Sequence, residues 1–141
     1  MQRACAIVAI VAACGGGEPA AHDAAAPAGP VIIFSRTQAF RHVEAIAACR
    51  ETLPGAVAAY GLTSVVTEDP VAFHDLSGAS AVVFAYTTGD NVLDAAGKVE
   101  LERFIRAGGG WVGIHGAISA ELQWPFFDEI VLTRFLNHPS V

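Results

Sequence analysis

The sequence is poor in positive charge, in cysteine and in long apolar runs, and each shortage excludes a class of protein. Eight lysines and arginines against fourteen acidic residues give a formal net charge of −6. No basic face is therefore available to neutralise phosphates, which argues against nucleic-acid binding. The apolar run from Ala4 to Ala13 is too short for a transmembrane helix, which needs about 20 residues. Of the three cysteines, only Cys49 follows the first fourteen residues, so no disulfide is expected in the domain.

The amino-terminal segment has the pattern of an export signal. Residues 1–13 combine Arg3 with a short apolar run and predict a lipoprotein-type signal peptide. The letters "VAAC", ending at Cys14, resemble a bacterial lipobox, whose cysteine is lipidated and becomes the mature amino terminus. This predicts an exported, membrane-anchored protein of the periplasm or cell surface. An ordinary secretory signal and an extension from a misplaced start codon remain alternatives. Residues 14–30 are rich in Gly, Ala and Pro and predict a flexible linker.

Residues 31–141 form one predicted α/β domain. The chain is 53% hydrophobic, and apolar runs alternate with helical patterns, which predicts a parallel sheet with helices on both faces. A first helix follows from apolar spacing between Val43 and Tyr60, and Pro54 should kink or divide it. Asp94 should cap a second helix, which the glycines from Gly108 end. The predicted strands are "VIIFS" (31–35), "TSVVTED" (63–69), "AVVFAYTTG" (81–89) and "WVGIHGA" (111–117).

Polar side chains follow the predicted strands. Ligands in open parallel sheets bind beyond the carboxyl ends of the strands. We therefore expect Arg41 and His42, after the first strand, to meet Thr88 and Asp90, after the third, and His115, after the fourth.

Six motifs occur in order along the predicted domain: "FRH" (40–42), "TED" (67–69), "TTGD" (87–90), "GGGWVGIH" (108–115), "WP" (124–125) and "HP" (138–139). Together they resemble the ThuA-like, or trehalose-utilisation, family. The resemblance implies a flavodoxin-like fold, similar to that of class I glutamine amidotransferases, and a setting in sugar metabolism, with disaccharide or keto-sugar chemistry. It covers what looks like the amino-terminal two-thirds of such a domain, so the chain is either a fragment or a carboxyl-terminally truncated form with an open sheet edge. Such an edge is liable to pair with another chain.

His115 stands where the amidotransferase-type pattern Gly-x-Cys-x-Gly has its nucleophile, on a strand-to-helix elbow. Without a thiolate, covalent thioester chemistry is disfavoured. A histidine at this elbow can exchange protons near neutral pH, donate a hydrogen bond to a sugar oxygen, or bind a metal. The alternative is a histidine packed in the turn and satisfied by backbone carbonyls.

Each remaining candidate has a functional and a structural interpretation. Arg41 can hold a carboxylate or sugar hydroxyls beside His42 as acid or base, or it can tie strand ends together through an acidic partner. Asp90 can orient an imidazole or cap the following helix. Thr88 can offer its hydroxyl to a sugar or belong to an ordinary turn. Trp124 can stack on a sugar or pack in the core.

The sequence predicts no cofactor, with zinc as an open alternative. His138 would be a third imidazole beside His42 and His115, and three histidines suffice for catalytic zinc, but no pair has the spacing His-x-x-x-His. The leading hypothesis is an exported carbohydrate-processing domain that uses His115 and His42 in general acid–base catalysis. The alternatives are a non-catalytic sugar-binding or interaction module and a zinc-dependent hydrolase.

Overall fold

The computed structural model describes residues 29–137. The predicted signal peptide, Cys14, nearly all of the predicted linker and His138 lie outside these residues. No helix among them is long and apolar enough to cross a membrane. The elements are β1 (Val31–Phe34), α1 (Val43–Ala58), β2 (Ser64–Thr67), a 3-10 turn (Pro70–Phe73), β3 (Ala81–Ala85), α2 (Ala95–Arg106), β4 (Gly110–Ile114), a 3-10 turn (His115–Ser119) and α3 (Pro125–Val131).

The four strands form one parallel sheet in the order β2-β1-β3-β4. This confirms the predicted α/β class. Phe34 at the end of β1 pairs with Thr67 of β2 and Phe84 of β3, and Ala85 pairs with Ile114 of β4. The carboxyl ends of all four strands are therefore level, and the loops that follow them share one edge of the sheet.

The two faces of the sheet are covered by different elements. On one face, Phe34 and Phe84 pack with Phe73 of the first 3-10 turn, Leu101 of α2 and Phe127 of α3. The other face is built on β-branched and small residues, and α1 packs against it. That second cluster comprises Val31, Ile33, Val83 and Ala85 with Cys49, Leu53, Val57, Leu62, Val66, Ala81 and Ile114. Burial raises the pKa of the Cys49 thiol, as expected for a small packing residue.

The helix ends follow the sequence signals, with one difference. A single helix runs through Pro54, so the predicted division of α1 does not occur. Proline removes one backbone bond, but Leu53 and Val57 on either side of it pack on the sheet and hold the helix together. Asp94 caps α2 as predicted, because its carboxylate accepts a hydrogen bond from the Gly97 amide at 2.8 Å. Gly108, with φ +95°, ends α2 in the left-handed conformation.

Candidate functional site

Two adjacent strands end in the same rare backbone conformation. Tyr86 follows β3 directly and His115 follows β4, and their φ angles are +60° and +49°. The Tyr86 amide donates to the Ile114 carbonyl at 3.2 Å, so the two residues lie side by side. Bulky side chains rarely adopt positive φ, and such strain concentrates at functional sites. The predicted elbow at His115 therefore has a second, parallel elbow at Tyr86.

Four rings meet at these elbows, and we call Phe40, His42, Tyr86 and His115 the ring cluster. His42 lies at its centre: its ring centroid is 4.8 Å from that of Phe40, 4.8 Å from that of His115 and 5.3 Å from that of Tyr86. The Tyr86 and His115 centroids are 5.0 Å apart. Phe40 and His115 are exposed, while His42 and Tyr86 are half-buried. The structure thus brings the two predicted catalytic histidines together on an open surface.

The ring cluster can move protons and can supply two ligands to a metal. Two imidazoles in contact can act as acid and base near neutral pH, and the Tyr86 phenol can donate a hydrogen bond. Between residues 29 and 137, no group of three or more His, Cys, Asp or Glu side chains is placed to hold a metal ion. A zinc site would need a further ligand, and the predicted one, His138, lies outside the described residues.

Arg41 lies beside the ring cluster but is engaged by Glu68 at the end of β2. Its two terminal nitrogens donate to both carboxylate oxygens, at 3.1 and 2.7 Å, and Arg50 of α1 donates to one of them at 2.8 Å. The hydrogen bond from Arg41 is the main reason that the pKa of Glu68 is lowered and that of Arg41 raised. This is the predicted tie between strand ends. A role of Arg41 in substrate binding stays a prediction.

Thr88 holds the backbone of the loop that carries part of the ring cluster. Its side chain is buried, and its hydroxyl donates to the Phe40 carbonyl at 2.6 Å. Its own carbonyl accepts from the Gln38 amide at 2.7 Å. At the next residue, Gly89, an added Cβ would lie 2.7 Å from the Ala39 nitrogen. Thr88 and Gly89 therefore fix the loop that carries Phe40 and His42.

Asp90 and Trp124 both make contacts within the fold. Asp90 does not cap α2, which Asp94 caps; the Asp90 carboxylate instead accepts from the Gln123 amide at 3.0 Å. Trp124 is half-buried against the core, with its ring stacked on Phe127 at 6.1 Å. The contribution of each residue to sugar binding stays a prediction.

The sequence interpretation missed Tyr86 as a site residue and used Phe40 only as part of the "FRH" motif. One signal could have found Tyr86: it directly follows the apolar run Ala81–Ala85, just as His115 directly follows β4. Parallel neighbours of equal register place such residues together. Phe40 gave a weaker signal, a large aromatic residue in a polar loop.

The chain is similar to proteins of one known family. The model of the ThuA family, described as trehalose utilisation, matches residues 30–141. The crystal structure of a ThuA-like protein from Bacteroides uniformis ATCC 8492 is similar, with 26% sequence identity and a TM-score of 0.53. The similarity covers 80% of this chain and 46% of that protein, so the chain spans less than half of its length. Comparison with curated proteins gave no match.

Proposed function

Because the chain belongs to the ThuA family, we propose that it acts on a carbohydrate, a disaccharide or keto-sugar, by general acid–base catalysis. The observation that carries the proposal is the contact between the His42 and His115 rings, 4.8 Å apart at the carboxyl edge of the sheet. The family description supports a sugar setting, and the strained elbows support a functional use of this edge.

In this proposal, one imidazole accepts a proton from the sugar and the other donates a proton to the oxygen that leaves or that gains charge. The Tyr86 phenol, 5.0 Å from the His115 ring between centroids, donates a hydrogen bond to the same oxygen. Proton exchange with water at this exposed edge of the sheet then returns both imidazoles to their starting state. His115 meets the substrate first, since it is exposed whereas His42 is half-buried.

A non-catalytic sugar-binding module is the second candidate, and one observation favours it. Catalytic imidazoles are commonly oriented by a carboxylate. Among residues 29–137, no carboxylate is hydrogen-bonded to the imidazole of His42 or of His115. His74, outside the ring cluster, does have such a partner, Asp94 at 2.8 Å. A module would bind sugar through the same rings without converting it.

The two candidates are separated by replacing each histidine with glutamine, which keeps hydrogen bonding but cannot transfer protons. His115→Gln and His42→Gln are compared with the full chain, and His74→Gln is the control because His74 pairs with Asp94 outside the ring cluster. Trehalose and its ketone derivative serve as probes, with conversion followed by NMR and binding by calorimetry. We expect the cluster variants to lose conversion by about 10²- to 10⁴-fold and to keep binding, with no change in the control.

Other outcomes decide against this mechanism. Conversion that survives in both cluster variants would exclude acid–base catalysis by these histidines. Binding without conversion in the unaltered chain would favour the module. Stoichiometric zinc by elemental analysis, lost in His115→Gln, would favour the zinc-dependent hydrolase.

A further inference from the structure

Phe40 is a large aromatic residue at the proposed site, and most of its surface is exposed to solvent. Its exposed fraction is 72%, although its ring is 4.8 Å from that of His42. Exposed apolar residues scattered singly over a surface need no explanation. Phe40 is different because it belongs to a group of rings that includes both candidate catalytic histidines.

The backbone beneath Phe40 is held in place, so its exposure does not reflect a slack loop. The Thr88 hydroxyl donates to the Phe40 carbonyl, the Gln38 amide donates to the Thr88 carbonyl, and Thr37 forms a β-bridge with Thr88. Gly89 lies so close to the loop that an added Cβ would clash with Ala39. The fold thus presents a flat apolar ring from a fixed position.

The surroundings of Phe40 define the chemistry of an occupant. Aliphatic C–H groups can lie on an aromatic face, while hydroxyls need donors and acceptors at the rim. His42, Tyr86 and His115 provide such groups next to Phe40. Arg41 and Arg50 both donate to the Glu68 carboxylate, which offsets one of their two positive charges and occupies donors that an anion would need. A neutral ring with an apolar face and a hydroxylated rim fits best.

We propose that Phe40 is the stacking platform for one pyranose ring of the substrate, which it holds with its hydroxyls toward His42 and His115. This inference rests on the proposed function for its ligand class, but it concerns binding and not proton transfer. It assigns to Phe40 the stacking contact that was one of two interpretations of Trp124, whose ring is stacked on Phe127.

The test uses the full chain with Phe40→Ala and Phe40→Trp. The control is Tyr60→Ala, an aromatic residue that is even more exposed, at 85%, and lies beyond the end of α1. Binding of trehalose and its ketone derivative is measured by calorimetry, and ring contact by saturation transfer from protein to the sugar C–H protons. Acyclic sorbitol is the comparison probe, because it has hydroxyls but no ring face.

We expect Phe40→Ala to weaken trehalose binding by about tenfold and to reduce saturation transfer to the sugar C–H protons, while Phe40→Trp keeps both. Sorbitol should bind poorly throughout, and the melting temperatures should not change. Unchanged trehalose affinity in Phe40→Ala, an equal loss in Tyr60→Ala, or absence of sugar binding by the unaltered chain would each overturn the platform. Weaker trehalose binding in Phe40→Ala together with intact conversion in the histidine variants would support the platform and reject the proposed catalysis. Unchanged binding in Phe40→Ala together with lost conversion in the histidine variants would reject the platform and support the catalysis.

Discussion

At the scale of single residues, the least expected feature is the buried carboxylate of Glu121. Its side chain is 1% exposed and lies within hydrogen-bond distance of three donors: the Leu93 amide at 2.9 Å, the Asn91 amide at 3.2 Å and the Lys98 ammonium at 2.6 Å. A buried charge is tolerated only when it is paired and hydrogen-bonded. Glu121 thus fastens the loop after β3, which carries Thr88, to the segment after the turn that begins at His115.

Replacement of Glu121 should therefore be costly. We expect Glu121→Ala to lower the free energy of unfolding by about 3–5 kcal/mol, because it leaves Lys98, the buried Leu93 amide and the partly buried Asn91 amide without their carboxylate partner. Glu121→Gln should cost less, since one amide oxygen can still accept. The control is Glu129→Ala, an exposed residue of α3, for which a change within about 0.5 kcal/mol is expected. Urea unfolding measures all three, and equal losses at positions 121 and 129 would contradict the role of Glu121.

Residue type explains which site residues could be foreseen. His115 stands between glycines, and the Gly-Ile-His-Gly turn predicted an elbow that the structure confirms with φ +49°. Tyr86 adopts the same conformation without any such signal, because tyrosine has no preference for positive φ. Its conformation is imposed by the adjacent strands. Glu121 was missed for a similar reason, since the sequence does not show that an isolated glutamate is buried.

At the scale of elements, the strands were predictable from their apolar runs and their ends were not. The run "AVVFAYTTG" predicted a strand to Gly89, but β3 ends at Ala85 because Tyr86 turns into the left-handed region. The predicted second strand, 63–69, is likewise longer than β2 (Ser64–Thr67). Local pattern sets where a buried strand runs, whereas contacts across the sheet decide where it stops.

The ion pairs of Glu68 with Arg41 and Arg50, which link the end of β2 to α1 and the loop before it, predict a defined response to acid. Hydrogen bonding to Arg41 lowers the pKa of Glu68 in the folded protein. The stabilisation is therefore complete above the unfolded value, about 4.3, and is lost as the pH falls through the folded pKa. We expect Glu68→Gln to be less stable than the unaltered chain at pH 7 by up to about 1 kcal/mol, and this difference to shrink below pH 4.

Urea midpoints measured across this pH range test the contribution of the Glu68 ion pairs. Glu51→Gln, on the exposed side of α1, is the control. A difference between Glu68→Gln and the unaltered chain that stays constant from pH 7 to about pH 3 would show that the Glu68 carboxylate does not stabilise the fold through its charge.

At the scale of the whole molecule, the described sheet has two edge strands, β2 and β4, and β4 is the more exposed of the two. Among residues 29–137, β4 pairs only with β3, so its other edge is open, and Val112 in the middle of β4 is 50% exposed. The composition predicted enough apolar residues for a core, but it could not show that the strands of the sheet are unequally covered. An open, apolar edge strand is a template for pairing with another strand. The net charge of −6 opposes such pairing between copies, most strongly at low salt.

We therefore predict that two copies of this chain associate through β4, and more strongly as salt screens their like charges. Val112→Lys should reduce the association, because a charged side chain on an edge strand must be desolvated when a second strand pairs with it. Val99→Lys is the matched control, since Val99 is an exposed valine on α2, away from the edge. Light scattering coupled to gel filtration, at low and high salt and over a range of protein concentrations, measures the mass of each variant. A monomer under all conditions, or equal effects of the two lysine substitutions, would show that the β4 edge does not drive self-association.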